Sequence, residues 1–303
     1  MTTQSNAVPD DPLDSRVIAP PAMSPTRPFY WSVRRELWEN RSIYIAPLAV
    51  AGVSLLGFLI ATLGRALSTR NLTHWRMILE EPYHFVTALI MGTAFVVGLF
   101  YCLDALHSER RDRSILFWKS LPVSDLTTVF SKASIPFVVL PLLAFAITVA
   151  THFIMLLLST AVLLASGLSA ATLWAQVWTS QVQLLYHLVT VHVLWYAPLY
   201  AWMLLVSGWA RRAAFLWAAL PPLAIFIVEK LVFNTTHFGA LLIYRVTGPE
   251  NFDMTEPGSA AIHPMMHHGV GGFLSTPGLW TGFVVAAIFL AAAVRLRRYQ
   301  GPI

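Results

Sequence analysis

The chain has 303 residues, 56% of them apolar and only 12% charged, about half the charged share of an ordinary soluble domain. Its net charge of +5 and pI near 9.6 would suit a nucleic-acid binder, but the basic residues flank long apolar runs, so membrane topology explains them better and no nucleic-acid partner is expected. One cysteine, Cys102, excludes an internal disulfide and a cysteine-based metal site.

Residues 1–28 hold six prolines and scattered acids without an apolar core, and they lack the three-part build of a secretory signal. They read as a disordered cytoplasmic tail. From Pro28 to Arg41, Trp31, Arg35 and Trp38 recur at helical spacing among further basic and aromatic residues. Such a helix lies along a membrane surface, with its rings at the headgroup level. Residues 29–303 then form one transmembrane domain.

Six spans follow, at about 42–63, 84–103, 133–164, 184–207, 213–232 and 279–294. Pro136 and Pro141 fall near the start of the third and predict a kink there. The expected fold is all-α: a polytopic membrane protein with six transmembrane helices, an N-terminal interface helix and a cytoplasmic coupling helix. Orientation follows from the basic residues. Arg16, Arg27, Arg34, Arg35, Arg41, Arg110, Arg111, Arg113, Lys119, Lys132, Arg211, Arg212, Arg295, Arg297 and Arg298 fall on one side, while Arg65, Arg70, Arg76, Lys230 and Arg245 fall on the other. A three-to-one excess puts both termini in the cytoplasm and implies an even number of spans.

The loop between the second and third spans, residues 104–132, is the densest signal in the chain. A helix is expected from about 105 to 121, stopped by Pro122, with Ser124 or Asp125 capping the helix that follows. Ile115, Leu116, Phe117 and Trp118 are consecutive and cannot share one helix face. Some must pack inward and others project, which predicts a partner-binding surface.

The run from Glu109 through Asp125, followed by Ser131-Lys132, resembles the loop of ABC-2-type transporter permeases. In that family an acid and a basic cluster lead to a Leu-Pro-Val-Ser turn and a lysine before the third span, matched here by Glu109, Arg110, Leu121, Pro122, Val123, Ser124 and Lys132. One departure is Arg113-Ser114, where many members carry Gly-Thr. The resemblance implies a bacterial inner-membrane exporter subunit whose coupling helix seats in a groove of a separate ABC ATPase. On this reading Glu109, Arg110, Ile115, Phe117, Trp118, Leu121 and Pro122 form the ATPase-docking surface, with Trp118 and Leu121 expected to dominate the contact over Lys119. Glu109 and the arginines after it have two open roles, salt bridges to the ATPase or anchorage at the headgroups. A second permease copy and membrane lipids complete the expected partners.

The chain is not expected to be the motor or an enzyme. No Gly-Lys pair occurs, and a phosphate-binding loop needs its glycines and lysine, so ATP and magnesium belong to the partner subunit and this chain binds no cofactor. Membrane proteases and lipid-modifying enzymes use paired acids, a Ser–His pair or His-Glu-x-x-His at membrane depth, and no span holds two carboxylates or that zinc motif. An assembly factor or membrane anchor remains the other alternative.

The outer loop, residues 233–278, carries His237, Met254, His263, Met265, Met266, His267 and His268. Imidazole and thioether together favour copper, so His263, His267, His268, Met265 and Met266 are weak metal candidates and a copper-related maturation permease is an alternative reading. Their irregular spacing argues for a plain surface loop. Glu229 and Lys230 sit at the outer end of the fifth span, where an interface role outweighs a proton relay. His152, His187 and His192 are read as satisfied by neighbouring helices, and Gly278 and Gly282 fit a close-packing helix motif.

Overall fold

The computed structural model describes residues 26–68, 75–120, 123–165, 169–247, 274 and 276–303. Among these residues every regular element is helical. The first helix, α1 (Thr26–Glu39), covers the segment expected to lie along a membrane surface, and the Arg34 guanidinium lies over the rings of both Trp31 and Trp38. The helix α2 (Ser42–Ser68) follows after one turn and packs on α3 (Trp75–Ala105).

The expected single helix over the charged loop is instead two short ones, α4 (His107–Arg111) and α5 (Ser114–Ser120). Two devices break it. Ser207 Oγ accepts the backbone amides of both Leu106 and His107, at 2.8 and 2.9 Å, so the chain turns at Leu106 without leaving buried donors orphaned. Arg113 then adopts a left-handed conformation, φ 56°, which ends α4 and re-aims α5.

The next helix, α6 (Asp125–Ser134), is capped as its sequence predicts, with Ser124 Oγ accepting the Thr127 amide at 3.1 Å. It runs through a π-helical turn, Ile135–Val139, into α7 (Leu140–Ala165). Pro136 sits in that turn, where a kink was expected, and its missing amide is accommodated by widening one turn.

The fourth predicted span differs most. It is longer than expected and broken: α8 (Ala171–His187) continues as a π-helical stretch, Leu188–Trp195, and then bends by 44° into α9 (Ala197–Trp209). Pro198 explains the break, since it donates no amide and its ring clashes with the turn before it. Contacts along α3 advance steadily through this element. His192 Nε2 approaches the Met91 carbonyl, Tyr196 and Tyr200 pack on Phe95, and Ser207 meets Leu106.

The helix α10 (Ala214–Val228) ends in a π-helical turn, Glu229–Phe233, and a left-handed Asn234, before α11 (His237–Thr247). The last helix, α12 (Pro277–Tyr299), packs along α9. Five of these units are each long and apolar enough to cross a membrane, and the bent α8–α9 pair is a sixth if counted as one. The main core lies where α2, α3, α7 and α9 meet, around Ile90, Ile135, Leu140, Met155, Tyr200 and Leu204.

Candidate functional site

Four ionisable side chains from four separate segments meet under the charged loop. Glu36 of α1, Glu109 of α4, Lys132 of α6 and Arg297 of α12 are each 95% or more buried, with exposures of 2, 5, 2 and 5%. Lys132 Nζ donates to Glu36 Oε1 at 2.7 Å and lies 3.1 Å from Glu109 Oε1. Arg297 Nη1 donates to Glu109 Oε2, while its Nε stands 3.2 Å from Asp125 Oδ1 in charge contact. Arg35 Nη2 bridges both acids, at 3.0 Å from Glu36 and 3.1 Å from Glu109. Tyr101 of α3 completes the set by donating its hydroxyl to Glu36 Oε2 at 2.8 Å.

Three carboxylates thus face three cations. Removal from water is costly for each charge, and only mutual pairing with further hydrogen bonds offsets it. The arrangement can therefore persist only with all its members together. It ties α1, α4, α6 and α12 together at one end of the bundle.

The loop residues singled out from the sequence divide into two sets. Glu109, Arg110 and Ile115, expected at a docking surface, are buried. Arg110 donates to the carbonyls of Gly208 and Gly301, and Ile115 is 1% exposed. Both roles first open to Glu109 give way to a third, since its salt-bridge partners lie within its own chain. Phe117 and its neighbour Leu116 project outward, each 59% exposed. Trp118 is half-buried with the Arg35 guanidinium 3.7 Å from its ring centroid, so it stacks on α1 and supports the loop from beneath. Leu121 and Pro122 lie outside the described residues. Lys119 donates to the carbonyls of Arg298 and Gln300, at 3.4 and 3.0 Å.

Glu36 and Arg297 are the members sequence reading missed. Two acids, Glu36 and Glu39, in an otherwise aromatic and basic helix, and the middle one of three arginines at the end of an apolar run, were the only signals.

The other candidates separate similarly. His263, Met265, Met266, His267 and His268 lie outside the described residues, and no group of three metal-ligating side chains occurs among the described ones. Glu229 is a helix cap: its carboxylate accepts the His237 and Phe238 amides, at 2.6 and 2.8 Å, and the Thr235 hydroxyl. That placement matches the favourable position of an anion at a helix start. His152 is satisfied as expected. Its Nε2 donates to the Tyr83 carbonyl at 3.1 Å, and Gln181 Nε2 donates to its Nδ1 at 2.6 Å, which fixes the tautomer. His187 and His192 each keep an Nδ1 without a protein partner. Gly278 and Gly282 do give close packing, but against side chains. A Cβ on Gly282 would stand 2.5 Å from the Arg245 Nη2, and Arg245 in turn donates to the Gly278 carbonyl at 2.7 Å. Burial holds the Arg245 guanidinium below its usual pKa.

An all-helical bundle with five to six helices long and apolar enough to span a membrane, closed at one end by a buried ion network, is consistent with a polytopic membrane protein. Scans against protein-family models, curated proteins and solved structures find no match.

Proposed function

We propose that the chain is the membrane-spanning permease subunit of an ATP-driven transporter of the ABC-2 type, an exporter whose ATPase is a separate chain. The observation that carries this reading is the exposed Leu116–Phe117 pair on a loop pinned from below. Two large apolar side chains, each 59% exposed, are costly to leave in water unless another surface covers them. The loop that holds them is joined through Glu109 to α1, α6 and α12. A push on α5 would therefore be felt by several helices at once, which is what a coupling element requires.

The docking surface in this reading is narrower than the loop sequence implies. Leu116 and Phe117 touch the ATPase, while Glu109, Arg110, Ile115 and Trp118 hold the loop in place. Bacterial inner-membrane location with both termini inside accords with the distribution of basic residues. A membrane-embedded enzyme or an assembly factor is the competing reading.

The test is a gentle-detergent pull-down of the chain from its native cells, wild type against Leu116→Asp/Phe117→Ala. An ATPase should accompany the wild type and fall about tenfold or more with the variant, as two apolar contacts at a centre of binding would give. Substrate-stimulated ATP hydrolysis by the reconstituted pair separates a transporter from an assembly factor. If no ATPase accompanies the wild type, the permease reading fails.

A further inference from the structure

A groove of about 640 Å³ runs down the side of the bundle between α6 with its following π-helical turn, the π-helical stretch before α9, and α12. Every side chain lining it is apolar, among them Phe130, Phe137, Leu194, Ala287, Ala291 and Val294. It is open: Phe130 is 48% exposed, and Ala287 and Ala291 are exposed too. Its volume falls in the range of ligand-sized sites, roughly 300–1,000 Å³.

Two observations say what fills it. The first is depth. Along α12 the lining runs from Phe283 to Val294, roughly 17 Å at about 1.5 Å per residue. That is near half of the ~30 Å hydrocarbon core, the depth of one leaflet. A helix from a second copy would instead call for a face running the whole span.

The second is charge. Arg298 follows Val294 by one helical turn on the same face, and its side chain is exposed, as is that of Arg295. Lys119 Nζ lies against the Arg298 carbonyl at 3.4 Å. The nearby acid, Asp125, is engaged with Arg297. A leaflet-deep apolar slot thus ends in uncompensated positive charge. Basic side chains at a membrane surface attract anionic headgroups by about five-fold in binding per residue.

We propose that this groove is a site for one anionic phospholipid, its acyl chain lying against Phe130, Phe137 and Ala287 and its phosphate held by Arg298 and Lys119. The inference stands apart from the permease reading, since it needs no ATPase and no cargo. A lipid so placed bridges α6 to α12, the two helices that also share the Asp125–Arg297 contact.

Native mass spectrometry of the detergent-purified chain, titrated with phosphatidylglycerol or phosphatidylcholine, tests it. One phosphatidylglycerol should be retained per chain, in preference to phosphatidylcholine. Arg298→Glu should lower that preference by about five-fold or more, and Ala287→Trp, which fills the slot, should abolish retention of both lipids. Equal retention of the two lipids by the wild type overturns the proposal. So does unchanged retention by a folded Ala287→Trp chain, or loss of a dimer with the lipid count intact, which would assign the groove to a second copy. Should Ala287→Trp fail to fold, Arg298→Glu decides alone, because its side chain is exposed and outside the core. An unaltered lipid preference in that variant is then fatal.

Discussion

Arg113 carries the left-handed conformation, φ 56°, that separates α4 from α5. An L side chain there costs about 1–2 kcal/mol, because Cβ crowds the following carbonyl. Glycine escapes that crowding, at an entropic cost of about 0.5–1 kcal/mol in the unfolded chain. Arg113→Gly should therefore be neutral or stabilising by up to about 1 kcal/mol, read as thermal unfolding in detergent. Leu116→Gly, inside α5, should lose about 1 kcal/mol. A loss for Arg113→Gly as large as that for Leu116→Gly would mean that the loop is not broken at Arg113. At this scale the sequence was readable wherever the partner is near along the chain. Ser124 capping α6 is the example, because the accepting hydroxyl and the donating amide are three residues apart. Nothing local marked Ser207, whose hydroxyl holds two amides a hundred residues away.

The helices at the basic end are joined less by shape than by charge. Glu109 alone receives Lys132, Arg297 and Arg35, from α6, α12 and α1. Removing one member of a buried ion set leaves the rest unpaired, at a cost of about 3–5 kcal/mol. Glu109→Ala should lower stability by that amount. Lys119→Ala should change it by less than about 0.5 kcal/mol, since Lys119 is exposed and touches only carbonyls. Comparable unfolding temperatures for the two variants would show that the network is not what holds the loop. This also explains why the loop misled a sequence reading. Its charges read as surface from the sequence because charged residues are mostly exposed. Which of them pair inward depends on Glu36 and Arg297, one distant in sequence on either side, so no window over the loop could reveal it. The apolar quartet carried the right logic, some residues in and some out, and the structure assigns Ile115 to the inside and Leu116 and Phe117 to the outside.

For the molecule as a whole, the ion network constrains topology more firmly than hydropathy does. Apolar runs located the spanning units to within a few residues at most ends, since lipid tolerates little else there. The α8–α9 unit, read from the sequence as one span over about 184–207, bends by 44° and fits either a broken crossing or a re-entrant loop. Parity yields a prediction that separates the two. The ends of α1 and α12 both reach the Glu109 network, and the Ile303 amide donates to the Arg110 carbonyl. Helix α1 and the last residues therefore sit on one side, and an even number of crossings must separate them. Five single units and one broken crossing give six, whereas a re-entrant pair gives five. Side-specific labelling of single cysteines, in a Cys102→Ala background, checks this. Arg27→Cys, Phe117→Cys and Gly301→Cys should react from one face, and Ser169→Cys and Thr236→Cys from the other. The excess of basic residues predicts a cytoplasmic first group, which would be shielded from an impermeant reagent in intact cells. Ser169→Cys reacting together with Phe117→Cys would mean that α7 does not cross, and the six-span architecture would fall. Opposite sidedness of Ser169→Cys and Thr236→Cys would instead make α8–α9 re-entrant, and the termini could then share a side only if another unit also failed to cross.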